Sequence, residues 1–145
     1  MAEFPDNNQA TADLKTIDKI AFVYIKDRKI LSTRSNGKSV WYIPGGKREP
    51  GENDMETLSR ELKEELNIEV SFPEVRYIGV FKAQAHGHPD GTVVKMTCYT
   101  GAYTGELKAS AEIDEFDFFT LEDQYKSAAV DRLILQFLHE AGMID

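Results

Sequence analysis

The stretch that decides the fold runs from Trp41 to Val70 and reads WYIPGGKREPGENDMETLSRELKEELNIEV. Pro44-Gly45-Gly46 follows an apolar run and predicts a tight turn that brings bare backbone close to a ligand. Asn53 and Glu56 have the spacing of a capping box at the start of a helix. Four apolar side chains then recur at helical spacing and predict a buried stripe, namely Met55, Leu58, Leu62 and Leu66.

Three glutamates lie on another face of the same predicted helix. Glu61, Glu64 and Glu65 are spaced so that their carboxylates share one face, roughly 110° around the helix from the leucine stripe. Like charges at this spacing repel one another, which a solvated helix face with Lys63 interleaved often tolerates. A hard divalent cation such as Mg²⁺ would turn the repulsion into attraction, because such ions prefer carboxylate oxygens and phosphates.

Taken together, these residues resemble the Nudix box. That pattern is Gly, five residues, Glu, seven residues, Arg-Glu, an apolar residue, any residue, Glu-Glu, any residue, Gly and an apolar residue. The matching positions are Gly46, Glu52, Arg60, Glu61, Leu62, Glu64, Glu65 and Ile68. Asn67 stands in place of the last glycine, and Asn is the usual second choice where a helix ends in a left-handed residue. The resemblance implies a Nudix-like α/β/α sandwich that hydrolyses a nucleoside diphosphate linked to another group.

The resemblance also implies roles for the residues of the box. Glu61 and Glu65 are expected to be the chief metal ligands, and Glu64 a further ligand or the base that orients water. Which of the three is the base stays open. Arg60 is expected to orient a carboxylate through a bidentate pair, while Glu52 holds the loop or Arg60 in place. These roles outweigh the interpretation as a plain solvated face.

Residues outside the helix complete the implied site. The Gly45 carbonyl is expected to be an additional metal ligand. Glu112 resembles the downstream glutamate that reaches the metal from a loop, although Asp114 and Glu115 compete for that role and an ordinary acidic loop is an equal alternative. The candidates for binding substrate phosphate, each also interpretable as a plain surface charge, are Arg34 and Lys47.

Length and composition indicate one globular domain over residues 1–145, with 41% hydrophobic and 29% charged residues. The net charge of −8 argues against nonspecific binding of nucleic acid. Cys98 is the single cysteine, so an internal disulfide is excluded, and its apolar surroundings favour a buried, inert thiol. No apolar run has membrane-spanning length and no signal-peptide pattern is present, so we expect a cytoplasmic protein with no membrane partner.

The remaining segments predict an α+β fold with one mixed sheet between helices. Residues 1–15 are polar and predict a flexible or peripheral segment. Strands are predicted at Ile20–Ile25, Lys29–Arg34, Val40–Ile43, Glu69–Phe72, Val75–Gln84, Thr92–Tyr103 and Phe116–Thr120. A last helix is predicted from Tyr125 to Ala141, with Gly142 ending it.

Several side chains do not yield a single interpretation. His86 and His88 lie in a Gly/Pro loop without a third ligand nearby, which favours a solvated turn or a substrate-contact loop over a metal site. Trp41, Phe81 and Tyr99 could stack on a base, but aromatic residues in strands are usually core.

We therefore expect an enzyme that requires Mg²⁺ or Mn²⁺ and acts on a small nucleotide, and we leave a homodimer open. The substrate could be an NTP or dNTP, a nucleotide sugar, ADP-ribose or a dinucleoside polyphosphate. Mutator-type enzymes place a base-reading Asn near the last helix, and Lys126–Arg132 contains none, which lowers that option. The alternatives are a Nudix domain that senses a nucleotide without cleaving it and an acidic Ca²⁺-binding domain, the latter without EF-hand spacing.

Overall fold

The computed structural model describes residues 15–145. Residues 1–14 of the predicted peripheral segment lie outside the described residues, and Lys15 is the first residue of a strand. The strands are β1 (Lys15–Val23), β2 (Ile25–Lys26), β3 (Lys29–Ser35), β4 (Trp41–Tyr42), β5 (Gly45–Lys47), β6 (Glu69–Val70), β7 (Arg76–Gln84), β8 (Thr92–Thr100), β9 (Tyr103–Thr104) and β10 (Ile113–Phe119). The helices are α1 (Asp54–Leu66) and α2 (Ala129–Glu140), with 3-10 helices at Phe72–Glu74 and Leu121–Lys126.

The central element is a mixed sheet in the order β5-β1-β8-β7. Strand β1 pairs parallel with β8, while β1–β5 and β7–β8 are antiparallel. Ile20 and Phe22 pack with α1 on one side of this sheet, and Ala21 and Val23 pack with α2 on the other. This alternation follows from the two-residue period of a strand. The predicted α+β fold with a mixed sheet between helices is therefore confirmed.

A second, antiparallel sheet was not predicted. It has the order β10-β3-β2, with β4 also paired to β3. The short strands β6 and β9 form a separate pair that follows α1. The second sheet brings β10 and the loop before it beside the Gly-Gly turn, so it supplies one wall of the cleft described below.

Helix α1 forms where the local signals predicted it. Asn53 and Glu56 make both hydrogen bonds of the capping box, and Asn67 ends the helix at φ 60° in the left-handed conformation. Leu58, Leu62 and Leu66 are fully buried. The predicted cap, stripe and left-handed end are all confirmed.

The last helix starts four residues later than predicted, at Ala129 instead of Tyr125. The preceding residues form the 3-10 helix, and Ser127 is extended and bridged to Trp41. The Ala128 amide donates to the Trp41 carbonyl, which fixes the chain before the helix can begin. In the described part of the chain, no helix has the length and apolar character needed to span a membrane.

Candidate active site

A cleft of about 310 Å³ opens where the Gly45-Gly46 turn, helix α1 and the loop before β10 meet. Its lining contains both acidic and basic side chains. The acidic side chains are Glu61, Glu65 and Glu112, and the basic ones are Lys19, Lys38 and Lys47. The sequence predicted all three acids and Lys47 as site residues, and the structure brings these four into one cavity.

The two glycines of the turn are required by close contacts. A Cβ on Gly45 would lie 1.9 Å from the Ile20 carbonyl oxygen, and the φ of Gly45 is +145°. A Cβ on Gly46 would lie 2.1 Å from Oε2 of Glu61. A side chain at either position would therefore collide with backbone or with the carboxylate. The turn holds bare backbone directly against α1.

The carboxylates of the cleft are crowded and poorly solvated. Glu65 is only 7% exposed. Burial and the nearby charges of Glu61 and Glu112 raise the pKa of Glu65 to about 8. Burial also raises the pKa of Glu61, against the opposing charge of Arg60. Such a cluster favours binding of a proton or a cation over three free negative charges.

The donor set fits a hard divalent cation in kind, since carboxylate oxygens are the ligands that Mg²⁺ prefers. Within the described residues, no group of three His, Cys, Asp or Glu side chains is already gathered at one point that a metal ion could occupy. Binding a cation would therefore require the side chains of Glu61, Glu65 or Glu112 to turn toward one another. Glu64 lies outside the cleft lining, and its side chain is 55% exposed.

Arg60 joins the loop to the helix. Its Nε lies 2.6 Å from Oε2 of Glu52 and its Nη2 lies 2.9 Å from Oε1. The bidentate pair that the sequence predicted is therefore made with Glu52, whereas the contacts of Arg60 with Glu61 and Glu64 are both longer, at 3.4 Å. The hydrogen bond from Arg60 holds the pKa of Glu52 down at about 2.

Glu52 also accepts hydrogen bonds from the Glu49 amide and the Thr57 hydroxyl, while Arg60 donates to the Lys47 carbonyl. These contacts tie the loop at both ends. The loop that follows the Gly-Gly turn is thereby locked to the first two turns of α1, which positions the cleft residues.

Arg34 is not among the residues that line the cleft. Its guanidinium pairs with Asp114 at 2.8 Å and Glu115 at 2.6 Å, and it lies 5.9 Å from the Trp41 ring. Asp114 and Glu115 are thus engaged by Arg34, which leaves Glu112 as the acid of this loop that lines the cleft.

A second cavity of about 100 Å³ adjoins the cleft and shares Lys19, Tyr42 and Met96 with it. His86 and His88 line this cavity. Both histidines are also exposed, so a solvated turn and a substrate-contact loop both fit this position.

The aromatic candidates lie elsewhere. Trp41 packs on Phe119 and Phe81 packs on Phe137, with ring centroids 5.1 and 5.4 Å apart. The Tyr99 hydroxyl donates to Asp54. Cys98 is buried, and burial raises the pKa of its thiol to about 12, as expected for an inert thiol.

Sequence reasoning missed Lys19, Lys38 and the buried acid Asp131. Asp131 is 1% exposed, and its Oδ1 accepts a hydrogen bond from the Ile43 amide at 2.8 Å. Its Oδ2 has no hydrogen-bond partner among the described residues. Burial raises the pKa of Asp131 to about 7. Its position three residues before Ile134, on the apolar stripe of α2, was the signal that could have found it.

The NUDIX domain family matches residues 17–138. An ADP-ribose pyrophosphatase of Methanocaldococcus jannaschii is 34% identical, over 71% of this chain and 61% of that protein. A CTP pyrophosphohydrolase of Escherichia coli is 35% identical, over 51% of this chain and 56% of that protein. The solution structure of the E. coli ORF135 protein superposes with a TM-score of 0.69 at 28% identity, covering 92% of this chain and 98% of that one.

The chain belongs to the Nudix family. The predicted fold and the predicted class of enzyme, a hydrolase of phosphoanhydride bonds, are confirmed. Nudix hydrolases generally use divalent metal ions.

Proposed function

We propose that the protein hydrolyses a pyrophosphate bond in a nucleotide or a nucleoside-diphosphate derivative, with Mg²⁺ or Mn²⁺ as the required cation. The observation that carries the proposal is that Glu61, Glu65 and Glu112 line one cleft, with the Glu61 carboxylate directly against Gly46. Three carboxylates in one cleft, with a raised pKa at the most buried one, form a site that a divalent cation would stabilise once the side chains turn toward it.

Each residue of the site has a part in this proposal. Glu61 and Glu65 hold the cation, and Glu112 supports them from the loop before β10. The chemistry that a divalent cation supplies when bound is stabilisation of charge on the phosphate oxygens and activation of water. Glu64 serves as a further ligand or as one candidate for the base that orients water, and in either role its exposed side chain has to turn toward the cleft.

Arg60 acts as a positioning residue in this scheme. It holds Glu52 by two short hydrogen bonds and so fixes the loop against the helix. The Gly45 carbonyl is retained as a further metal ligand, since Gly45 lines the cleft beside Glu65. Lys47 faces the same cavity and can meet a substrate phosphate. Arg34 would first have to leave its two acidic partners to do the same.

The relatives support a nucleotide substrate, because one is named for ADP-ribose and another for CTP. A cytoplasmic location, a single domain that includes residues 1–14, and a homodimer all remain predictions.

The test is release of phosphate or nucleoside monophosphate from a panel of NTPs, ADP-ribose, nucleotide sugars and dinucleoside polyphosphates. We expect turnover with Mg²⁺ or Mn²⁺ and none in EDTA. Full activity in metal-free buffer would contradict the mechanism. If no compound is cleaved while nucleotides still raise the melting temperature, the chain is a nucleotide sensor.

A further inference from the structure

The cleft that contains the carboxylates is also lined by three lysines. Lys19 on β1, Lys38 between β3 and β4, and Lys47 on β5 all line it. None of the three forms an ion pair with another residue of the described chain, although the protein carries 25 acidic residues. The charge of Lys19 opposes the rise that burial causes in the pKa of Asp131, but no acidic side chain of residues 15–145 lies within ion-pair distance of any of the three lysines. Three such lysines in one cavity indicate a site for an anion.

Two of these lysines are held together against their mutual repulsion. Lys19 and Lys47 are direct partners in the antiparallel pair of β1 and β5, so their side chains leave the same face of the sheet. Like charges directly opposite one another destabilise a sheet. Lys19 is also partly buried, which weakens screening by water. An anionic ligand between them would convert this repulsion into attraction.

Lys19 occupies the junction of the two cavities. Its Nζ lies 5.4 Å from the centroid of the Tyr42 ring, and both residues line the cleft as well as the smaller cavity. Lys38 lines the cleft and a neighbouring surface depression that it shares with His86 and His88. Lys19 and Lys38 therefore border the spaces next to the cleft as well as the cleft itself, where a longer anionic chain could extend.

We propose that Lys19, Lys38 and Lys47 bind a chain of three or more phosphates, and that Lys19 makes the enzyme prefer such substrates over those with only two. This inference rests on the proposed function. The cation held by the carboxylates serves the phosphates at the cleaved bond. Each phosphate beyond the second, internal or terminal, adds negative charge at neutral pH, and the three lysines provide the additional cations that this charge needs. ADP-ribose and nucleotide sugars carry neutral sugars at the same place.

The first test compares kcat/KM for a nucleoside triphosphate, a dinucleoside tetraphosphate, ADP-ribose and a nucleotide sugar with Mg²⁺. Wild type should favour the first two. Lys19→Gln should lower kcat/KM for them by about tenfold or more, mainly through KM, since a hydrogen bond to a charged group is lost. The same substitution should change kcat/KM for ADP-ribose and the nucleotide sugar, which contain only two phosphates, by less than about twofold. Lys82→Gln on the exposed strand β7 is the matched control and should change none of them.

The second test measures binding without turnover. Nucleoside di- and triphosphates with a methylene group between the α- and β-phosphorus atoms resist cleavage there, and calorimetry gives their dissociation constants. In wild type the triphosphate analogue should bind at least about tenfold more tightly, a difference of about 1.4 kcal/mol. Lys19→Gln should remove most of this difference and Lys19→Arg should restore it. The melting temperature of ligand-free Lys19→Gln is measured as well, because Gln removes the repulsion with Lys47 but also the contacts of Lys19 with the Tyr42 ring and with the charge of Asp131. A melting temperature close to that of wild type shows that lost binding is not lost folding.

The outcomes separate the two levels of the proposal. A wild type that cleaves ADP-ribose or a nucleotide sugar better than any triphosphate or tetraphosphate would overturn the preference while leaving the hydrolase proposal intact. An equal loss on all substrates in Lys19→Gln would show that Lys19 has only a general or structural role. If no compound is cleaved, the proposed function fails. Equal affinity for the two analogues would then also overturn the proposed binding of a phosphate chain by Lys19, Lys38 and Lys47.

Discussion

The metal-free Glu65→Gln variant should become more stable than the metal-free wild type as pH rises. Burial and two neighbouring carboxylates raise the pKa of Glu65 from an ordinary 4.5 to about 8 in the folded protein. The folded state therefore binds the proton more tightly than the unfolded state does, and wild type loses stability as pH increases from about 4.5 to about 8. Gln cannot ionise and keeps nearly the same shape, so this loss should be absent in the variant.

The difference in stability between wild type and Glu65→Gln follows from the pKa shift of Glu65. One pKa unit is worth about 1.4 kcal/mol, so a shift of this size costs the folded wild type about 3 to 5 kcal/mol once Glu65 is fully ionised. For a domain of this length, that corresponds to a melting temperature at least about 6 °C higher for Glu65→Gln near pH 9. Below pH 4.5 the two proteins should melt together. Asp131 also titrates in this range, but it does so in both proteins and cancels in the comparison.

The assay is chemical and thermal unfolding in EDTA at pH values from 4 to 9, repeated with saturating Mg²⁺. Added Mg²⁺ should stabilise wild type strongly at high pH and Glu65→Gln much less, and turnover of the variant should fall by orders of magnitude. Glu64→Gln is the stability control, because the Glu64 side chain is exposed and lies outside the cleft. If wild type and Glu65→Gln lose stability in parallel across this range, Glu65 does not sit in the crowded acidic site described above.

Three further substitutions test the architecture around the site. Gly46→Ala should reduce turnover strongly with little change in melting temperature, because the new Cβ meets only the movable end of the Glu61 side chain. Gly45→Ala should instead lower the melting temperature, since its Cβ meets backbone atoms that cannot move aside. Leu62→Asp should cost more than about 3 kcal/mol in the free energy of urea unfolding, because it buries an unpaired charge. Asn67→Gly should be neutral or mildly stabilising, as glycine adopts φ 60° without strain; a clear fall in melting temperature would contradict the left-handed cap.

The sequence was sufficient for α1 and its carboxylates because each of those features depends on neighbours within one or two helical turns. The capping box, the leucine stripe and the left-handed end are all local patterns. Once Asn53 starts the helix and Asn67 ends it, Glu61 and Glu65 have their faces determined. The turn at Gly46 is local as well, so the core of the site could be predicted before any tertiary contact was known.

The partners of Arg34 could not be predicted in the same way. They lie about 80 residues away on β10, and they depend on the register of β10 against β3. That register contains an irregularity between Ile113 and Glu115, which places both Asp114 and Glu115 beside Arg34. A shift of one residue would exchange the faces of the strand. Sequence spacing therefore could not decide which acid of this loop turns toward the cleft.

Each helix places one buried acid beside the backbone segment that leads into the Gly45-Gly46 turn, so both helices help to position the cleft. Asp131 of α2 accepts a hydrogen bond from the Ile43 amide, while Glu65 of α1 lines the cleft beside Gly45. The two helices pack on opposite sides of the mixed sheet, so the chain between Ile43 and Gly45 is held from both directions. A buried acid lowers stability unless hydrogen bonds compensate for its lost hydration. Here the backbone amides supply such hydrogen bonds, from Ile43 to Asp131 and from Gly45 to Glu65, so the two acids help to place the turn that forms the cleft, one from each side of the sheet.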